Sequence, residues 1–468
     1  METKVERYTL KNGMRFLLLS RPGVPVFTGY IRVNVGGADE HQGQTGIAHM
    51  LEHMAFKGTS KIGTKNYSKE KPLLDEIEKL GVEIMELKKK KENSSNSTLL
   101  DLEKQQKALQ KKEAGFIVKD EFSRLYLQNG ASNFNATTSK DLTSYFVELP
   151  NSKLELWAYL ESQRLKEPVF REFYKERDVV MEERRMRVED SPFGKNYENL
   201  LGTAFENSPY KFPTIGYADE IALLTASDLK KFYDTYYVPQ NMVGAVVGDI
   251  DLAKTKKILE EYFGKIPAGA KPPLPKNEME IQTKEKRSLV KDAARSQLMM
   301  AYHKPTLPEK DDYVFDMIDQ ILCGGRTSRL YVVLVEKGHL ASGVSCDPST
   351  PGSRLSNLFW IYAAPLGKTS PQKLEQGIDE EISKMIKNGV SQEEMERAKN
   401  QLLSDRLFQL SSNLGLADLL SYFEVVAGDW HYLLEHEKAI EQISSTQIQQ
   451  VAAKYFTPQN KTVSVLGH

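Results

Sequence analysis

Hydrophobic and polar residues alternate in two segments near the start of the chain, residues 14–20 and 28–35. A period of two residues is typical of β-strands that bury one face. A similar strand pattern at 297–302 precedes a predicted helix from about Glu309, just as the two early strands precede a predicted helix around residues 45–53. Both halves of the chain therefore open with the same order of elements, strand and then helix.

A second pattern also occurs twice. The sequence Tyr-Tyr-Val-Pro-Gln-Asn at 236–241 leads into an apolar run at 243–248, and Tyr-Phe-Thr-Pro-Gln-Asn at 455–460 leads into another at 463–467. Each copy follows a predicted helix and passes through a proline turn into a predicted strand. The repetition predicts two homologous α/β domains in one chain.

The stretch between the two copies is rich in proline. Residues 266–275 read Ile-Pro-Ala-Gly-Ala-Lys-Pro-Pro-Leu-Pro, a composition that favours extended chain and excludes regular helix. We place a linker at 266–281. The first domain is then predicted at 1–265 and the second at 282–468.

The first half is longer than the second between the shared landmarks, which predicts an insertion at about residues 71–118. Two helix-favouring arms, 73–91 and 99–112, flank a polar tip at 93–97. Leucine and isoleucine recur along one face of each arm, so we predict a helical hairpin packed on itself. The alternative is a dedicated arm for a partner protein.

The first predicted helix contains the pattern His-x-x-Glu-His. His49 and His53 are four residues apart, so their imidazoles lie on the same helical face, a spacing that suits one tetrahedral zinc ion. Glu52 lies beside that face, where its carboxylate can accept a proton from water held by the metal. The alternative is a pair of histidines with no ligand role.

A zinc site of this kind needs a third protein ligand from elsewhere in the fold. Glu176 and Glu183 are seven residues apart in a probable helix and therefore share one face. Composition alone favours the alternative, a solvated charged helix stabilised by ion pairs.

Composition excludes several functional classes. With 63 Lys and Arg against 64 Asp and Glu, the net charge is −1, so no global positive field attracts nucleic acid. No apolar run is long enough to span a membrane.

Two cysteines, Cys323 and Cys346, are expected to be small buried thiols rather than a disulfide, as in a reducing compartment. The N-terminus has no apolar signal segment, so the expected location is cytoplasmic; the periplasm is the alternative if a signal peptide has been removed.

Several segments together resemble the pitrilysin (insulinase) family of zinc metallopeptidases, the inverzincins, and in particular its half-length subunits of the processing-peptidase type. The resemblance covers nearly the whole chain. It rests on six segments: Asn12-Gly13, His49-Met50-Leu51-Glu52-His53 with the following Met-Ala-Phe-Lys-Gly-Thr, the glutamate-rich segment 176–183, Asn135-Ala136-Thr137-Thr138, residues 241–248, and Gly-Gly-Arg-Thr-Ser-Arg-Leu-Tyr at 324–331.

The resemblance implies that His49, His53 and Glu183 bind zinc, that Glu52 is the general base, and that Glu176 supports the site without binding the metal. It also implies that each half is an α/β (α+β) domain with a mixed sheet covered by helices. In the second half, Asp316, Asp319 and Gln320 occupy the corresponding positions, and we expect no metal there.

Residues 132–137 alternate small polar groups, as in an exposed sheet edge that can pair with an extended peptide. The resemblance points to Asn135 and Ala136 as contacts to the substrate backbone. An edge strand with no ligand is the alternative.

One expected feature is missing. Active full-length relatives carry an Arg and a Tyr in the second half that bind the substrate and stabilise the oxyanion, but Val335 and Ser342 stand at those positions. We therefore expect a zinc endopeptidase for extended peptides that needs a homologous partner subunit to supply the Arg and Tyr. A homodimer is possible. The alternative is a non-catalytic structural or peptide-binding subunit of the same family.

Overall fold

The structure is a computed structural model that describes residues 4–90 and 96–467. Most of the predicted hairpin tip, residues 93–95, lies outside the described part of the chain. Within that part, no helix combines the length and apolar character needed to cross a bilayer.

Strands and helices alternate through most of the chain. The strands are β1 (Glu6–Thr9), β2 (Arg15–Ser20), β3 (Val26–Val33), β4 (Ser132–Thr138), β5 (Thr143–Pro150), β6 (Met242–Gly248), β7 (Lys286–Lys291), β8 (Gln297–Lys304), β9 (Ala341–Thr350), β10 (Asn357–Pro365) and β11 (Lys461–Gly467). The helices are α1 (Ile47–Met54), α2 (Tyr67–Lys89), α3 (Asn96–Glu113), α4 (Glu121–Gln128), α5 (Leu154–Lys166), α6 (Phe173–Arg184), α7 (Pro192–Ala204), α8 (Ala218–Ile221), α9 (Ala226–Tyr236), α10 (Leu252–Tyr262), α11 (Lys310–Cys323), α12 (Pro371–Asn388), α13 (Gln392–Ser411), α14 (Asn413–Val426), α15 (Tyr432–Gln442) and α16 (Ser445–Tyr455).

Two sheets organise the chain. The first has the order β1-β2-β6-β3-β5-β4 and the second the order β7-β11-β8-β10-β9. In each sheet one pair is parallel, β2 with β6 and β7 with β11, and the other pairs are antiparallel. Apart from β1, the second sheet repeats the first strand for strand. The predicted fold class, two homologous domains built on mixed sheets, is confirmed.

The repeated Pro-Gln-Asn motif performs the same structural task in both sheets. The Asn241 side-chain amide donates to the carbonyl of Tyr236 at 2.9 Å, and that of Asn460 donates to the carbonyl of Tyr455 at 2.8 Å. Each asparagine thereby satisfies a carbonyl at the end of a helix and guides the chain into the next strand. The hydrogen bond explains why the motif recurs at these two places.

The described chain forms two compact units, each built around one sheet. The first comprises Met1–Arg184, Thr214–Leu274 and Asn413–Val425, and the second comprises Arg185–Pro213, Pro275–Ser412 and Val426–His468. The sequence-based boundaries, 1–265 and 282–468, were contiguous, whereas each unit also takes in a helix from the other half of the chain. The linker was predicted at 266–281, and residues 267–283 form no helix or strand.

Those two helices are α14 in the first unit and α7 in the second. Glu424 of α14 is fully buried and accepts hydrogen bonds from Arg7 at 2.6 Å and Arg15 at 2.8 Å, in β1 and β2. Asn199 of α7 donates to the hydroxyls of Ser288 and Ser464, in β7 and β11. Each helix therefore covers a sheet whose strands come from the other half of the sequence.

The predicted hairpin insertion is confirmed. Its arms are α2 and α3, which contact each other through an ion pair between Lys88 and Glu103 at 2.8 Å and a hydrogen bond from the Gln106 amide to the Ile77 carbonyl. Apolar residues of the predicted seam, including Ile77, are buried between the arms. The first arm, α2, also contacts α6, the helix that carries the predicted glutamates, through a hydrogen bond from the Tyr174 hydroxyl to Glu78.

The expectation for the cysteines was wrong. Cys323, at the end of α11, and Cys346, in β9, form a disulfide within the second unit. Sequence spacing could not reveal it, because the two residues meet only through the packing of α11 against β9. The cysteines therefore no longer support a reducing compartment.

Candidate metal centre

The residues just before helix α1 fix where it begins, and its apolar residues fix which face is buried. Gly46 precedes it with a φ of 85°, and a Cβ at this position would lie 2.5 Å from the Ile215 carbonyl oxygen, so glycine is required. The buried carboxylate of Glu40 accepts hydrogen bonds from the backbone N–H groups of Gly46 and Ala48, both at 2.8 Å. Ile47 and other apolar residues of the helix are buried, which fixes its rotation.

This rotation places the two predicted histidines side by side. Their ring centroids are 4.8 Å apart, and the His49 residue is only 8% exposed. Glu183, from α6, approaches both rings: its Oε2 lies 3.2 Å from His53 Nε2 and 3.8 Å from His49 Nε2. Residues that are distant in sequence thus converge on one point.

One ligand atom from each of His49, His53 and Glu183 lies within 4.8 Å of the others, a separation that could hold a metal ion. Two imidazoles and one carboxylate form a donor set found in catalytic zinc sites, with a coordination position left for water. The residues therefore fit zinc chemically and geometrically. Their assignment as ligands stays a prediction.

Glu176 contacts the other nitrogen of His53. Its Oε1 lies 2.9 Å from His53 Nδ1, and its Oε2 lies 2.5 Å from Lys57 Nζ. A carboxylate behind a ligating histidine fixes the ring orientation and its tautomer. This is the supporting position that the resemblance implies for Glu176. Lys57 was missed, although a lysine one helical turn after His53 was a possible signal.

The electrostatics of the metal-free centre are dominated by these ion pairs. Burial by itself lowers the pKa of His53, but the hydrogen bonds and charges of Glu176 and Glu183 outweigh burial and raise the pKa to about 9. Burial by itself raises the pKa of Glu176, but hydrogen bonds from His53 and Lys57 lower it to about 2. Without a metal, a proton on His53 supplies the positive charge between the two carboxylates.

Glu52, the predicted base, lies on the same helix and is held from another element. The hydroxyl of Thr138, at the end of β4, donates a hydrogen bond to Glu52 Oε2 at 2.5 Å. Sequence reasoning did not single out this hydroxyl, because only the packing of β4 beside α1 brings it to Glu52. The alternation of residues along β4 offered only a weak signal for this contact. Thr138 is a polar residue two positions after Ala136, and the two share the strand face that is buried at Ala136.

Strand β4 is the last strand of its sheet, as the predicted edge strand requires. Asn135 is exposed and its Oδ1 accepts the N–H of Ala136 at 2.9 Å, whereas the Ala136 side chain is buried. The backbone at this position is therefore available at the sheet edge, and its role as a substrate contact stays a prediction.

The corresponding positions of the second unit are occupied differently. Asp316 Oδ2 lies within hydrogen-bond distance of His436 Nε2, at 2.7 Å, and in the described chain the one cluster suited to a metal is that of His49, His53 and Glu183. Val335 packs against the hydrophobic core of this unit, and Ser342 donates to the Ala364 carbonyl. Neither side chain carries the charge or the phenol that the resemblance led us to seek.

Comparison with known proteins finds two family models that match this chain. Residues 15–111 match the family model described as "Insulinase (Peptidase family M16)", and residues 223–402 match the one described as "Peptidase M16 inactive domain". Together the matched regions include α1 with both histidines and much of the second unit.

Curated relatives and solved structures extend the similarity to almost the full chain. The zinc protease PqqE of Helicobacter pylori is 27% identical, over 99% of this chain and 93% of that protein. The uncharacterized zinc protease YmxG of Bacillus subtilis is 23% identical, over 97% of this chain and 96% of its own. The crystal structure of a protease from Helicobacter pylori superposes with a TM-score of 0.83 and 25% identity, covering 99% of both chains.

Proposed function

Because this chain belongs to the insulinase, or pitrilysin, family of M16 peptidases, we propose that it is a zinc-dependent endopeptidase that cleaves extended or unfolded peptides. One observation carries the proposal: His49, His53 and Glu183 converge within 4.8 Å, with Glu52 on the same helix as the two histidines. A purely structural subunit has no physical need for this combination.

His49, His53 and Glu183 would hold the metal, and bound zinc would activate a water molecule and polarise the scissile carbonyl. Glu52 accepts the proton of the attacking water and returns it to the leaving amine. Glu176 keeps the His53 ring oriented by holding its Nδ1, and Lys57 balances the charge of that carboxylate.

The substrate would lie along β4 as an added strand. Backbone pairing at a sheet edge accepts any extended peptide irrespective of its sequence, so Asn135 and Ala136 would contact the main chain rather than particular side chains. An extended or unfolded peptide is the class of substrate that suits such an edge.

We further propose that a homologous partner subunit completes the site. Val335 packs against the core of the second unit with an apolar side chain, and the Ser342 hydroxyl donates to the Ala364 carbonyl, so neither can stabilise an oxyanion. Losing one oxyanion donor costs on the order of 10² to 10³ in rate, so the chain by itself should be a poor peptidase.

A metal-content measurement and a fluorogenic peptide assay test these proposals on one preparation. We expect one zinc ion per chain, strong cleavage only after a homologous partner is added, and a fall of on the order of 10² to 10⁴ in kcat for Glu52→Gln with zinc and peptide affinity retained. Glu182→Gln, on the exposed neighbour of Glu183, is the matched control and should cleave normally.

The second candidate is a non-catalytic structural or peptide-binding subunit. The match of residues 223–402 to an inactive domain and the loss of the Arg and Tyr favour it. It predicts peptide binding with no cleavage, with or without a partner, and no difference between the wild-type protein and Glu52→Gln. A wild-type chain that cleaves peptides rapidly without any partner would instead refute the proposal that a partner subunit completes the site.

A further inference from the structure

We propose that Thr138 is a positioning residue that holds the Glu52 carboxylate at the peptide-binding edge of β4. The inference rests on the proposed peptidase function and adds to it the group that aligns the base with the substrate. It is carried by two observations: the side-chain contact of Thr138 and the direction of its backbone.

The side-chain contact is direct. Thr138 Oγ1 lies 2.5 Å from Glu52 Oε2, and since an ionised carboxylate can only accept, the hydroxyl is the donor. Hydrogen bonds to charged groups are shorter and stronger than neutral ones. The bond restrains a side chain that otherwise rotates about three torsions.

The surroundings hold the threonine itself in place. Side chains alternate along a strand, so Thr138 shares its face with Phe134 and with Ala136, which is 7% exposed. The Phe134 ring packs on Phe56, just after α1, with centroids 5.6 Å apart. This face of β4 is thus anchored beside the helix that carries Glu52.

The backbone of Thr138 points the other way, towards the open edge. Ser139 N–H donates to the Leu142 carbonyl at 2.9 Å, so residue 139 faces β5 and residue 138, one position earlier, faces away from it. The N–H of Ala136, two residues before Thr138, likewise bonds to the Asn135 side chain. The N–H and C=O of Thr138 are therefore placed to pair with an added strand.

Thr138 thus contacts both the bound peptide, through its backbone, and the catalytic base Glu52, through its hydroxyl. A peptide paired with the Thr138 backbone acquires a defined register, and the Thr138 hydroxyl sets the position of Glu52 relative to that register. Alignment of a base with its substrate contributes to the chemical step rather than to binding. Loss of the hydroxyl should therefore lower kcat and leave KM nearly unchanged.

Three variants of the full chain test the inference, assayed with the partner subunit if activity needs one. Thr138→Val removes the hydroxyl and keeps the branched shape; Thr138→Ser keeps a hydroxyl; Thr235→Val makes the same change at an exposed residue of α9, outside β4. For Thr138→Val we expect kcat to fall about 10- to 100-fold, with KM, zinc content and melting temperature close to wild type. Thr138→Ser should recover most of kcat, and Thr235→Val should match the wild type.

A second readout does not depend on activity. The carboxylate stretching band of Glu52, identified by its loss in Glu52→Gln, should shift in the infrared spectrum of Thr138→Val but not of Thr235→Val. Wild-type kcat in Thr138→Val, or an unshifted band, would overturn the inference. A wild-type protein inactive under all conditions would instead refute the proposed function, and the infrared band would then decide whether Thr138 positions Glu52.

Discussion

At the scale of single residues, the metal centre is organised by a carboxylate that binds no metal. Glu176 joins His53 Nδ1 to Lys57 Nζ, and Glu183 faces Nε2 of the same ring. The ring is thereby fixed from both sides before any ion enters. A preformed ligand set loses little conformational entropy when a metal binds.

Glu176→Gln should therefore weaken zinc binding by about 10- to 100-fold, because the amide supports His53 less well than a carboxylate. Competition with a fluorescent zinc chelator measures the affinity. The control is Glu172→Gln, one turn earlier on the chain, whose carboxylate lies 3.9 Å from Lys57. Equal zinc affinity in the two variants would contradict the supporting role of Glu176.

At the scale of elements, the inserted hairpin is linked to both segments that carry the predicted metal ligands, the one around α1 and the one around α6. Arg171, just before α6, forms a buried ion pair with Glu70 of α2 at 2.6 Å and donates to the Lys57 and Thr59 carbonyls in the loop after α1. The Tyr174 hydroxyl donates to Glu78 of α2 at 2.8 Å. The hairpin thus braces the loop after one ligand-bearing helix and the start of the other.

Two glycine-to-alanine variants test how tightly the hairpin fits. A Cβ at Gly81 would lie 1.7 Å from the Tyr174 hydroxyl, so Gly81→Ala should destabilise the protein by about 1–3 kcal/mol through overpacking. A Cβ at Gly202, in α7, would meet open space with no neighbouring atom within 4 Å, so Gly202→Ala should stabilise the protein by up to about 1 kcal/mol through helix propensity. Urea unfolding measures the free energy of unfolding of both variants. A change of the same sign in the two would contradict the close packing of Gly81 against Tyr174.

At the scale of the whole molecule, each compact unit includes one helix that comes from the other half of the chain. Helix α14 brings Glu424 to the first sheet, and α7 brings Asn199 to the second. A half expressed alone would expose a sheet face and carry a helix without its sheet. The first fragment would also leave Arg7 and Arg15 without the Glu424 carboxylate that they bind in the whole chain.

We therefore expect that fragments 1–274 and 275–468 do not fold separately but form a stable complex when co-expressed. Circular dichroism melting and co-purification are the measurements. As a control, a protease site placed at 270–274 and cut after folding should leave the melting transition largely intact. A cooperative melting transition in either isolated fragment would contradict the expectation.

The sequence was sufficient for the two homologous domains, the hairpin insertion and the placing of His49 and His53 on one helical face, because repeated motifs and the periodicities of strands and helices can be read from the residues themselves. The disulfide, the exchange of α7 and α14 between the sheets, and the contacts of Lys57 and Thr138 follow only from long-range packing. Cys323 and Cys346 have no spacing signature. Thr138 is one polar strand residue among many until β4 lies beside α1 and its hydroxyl reaches Glu52.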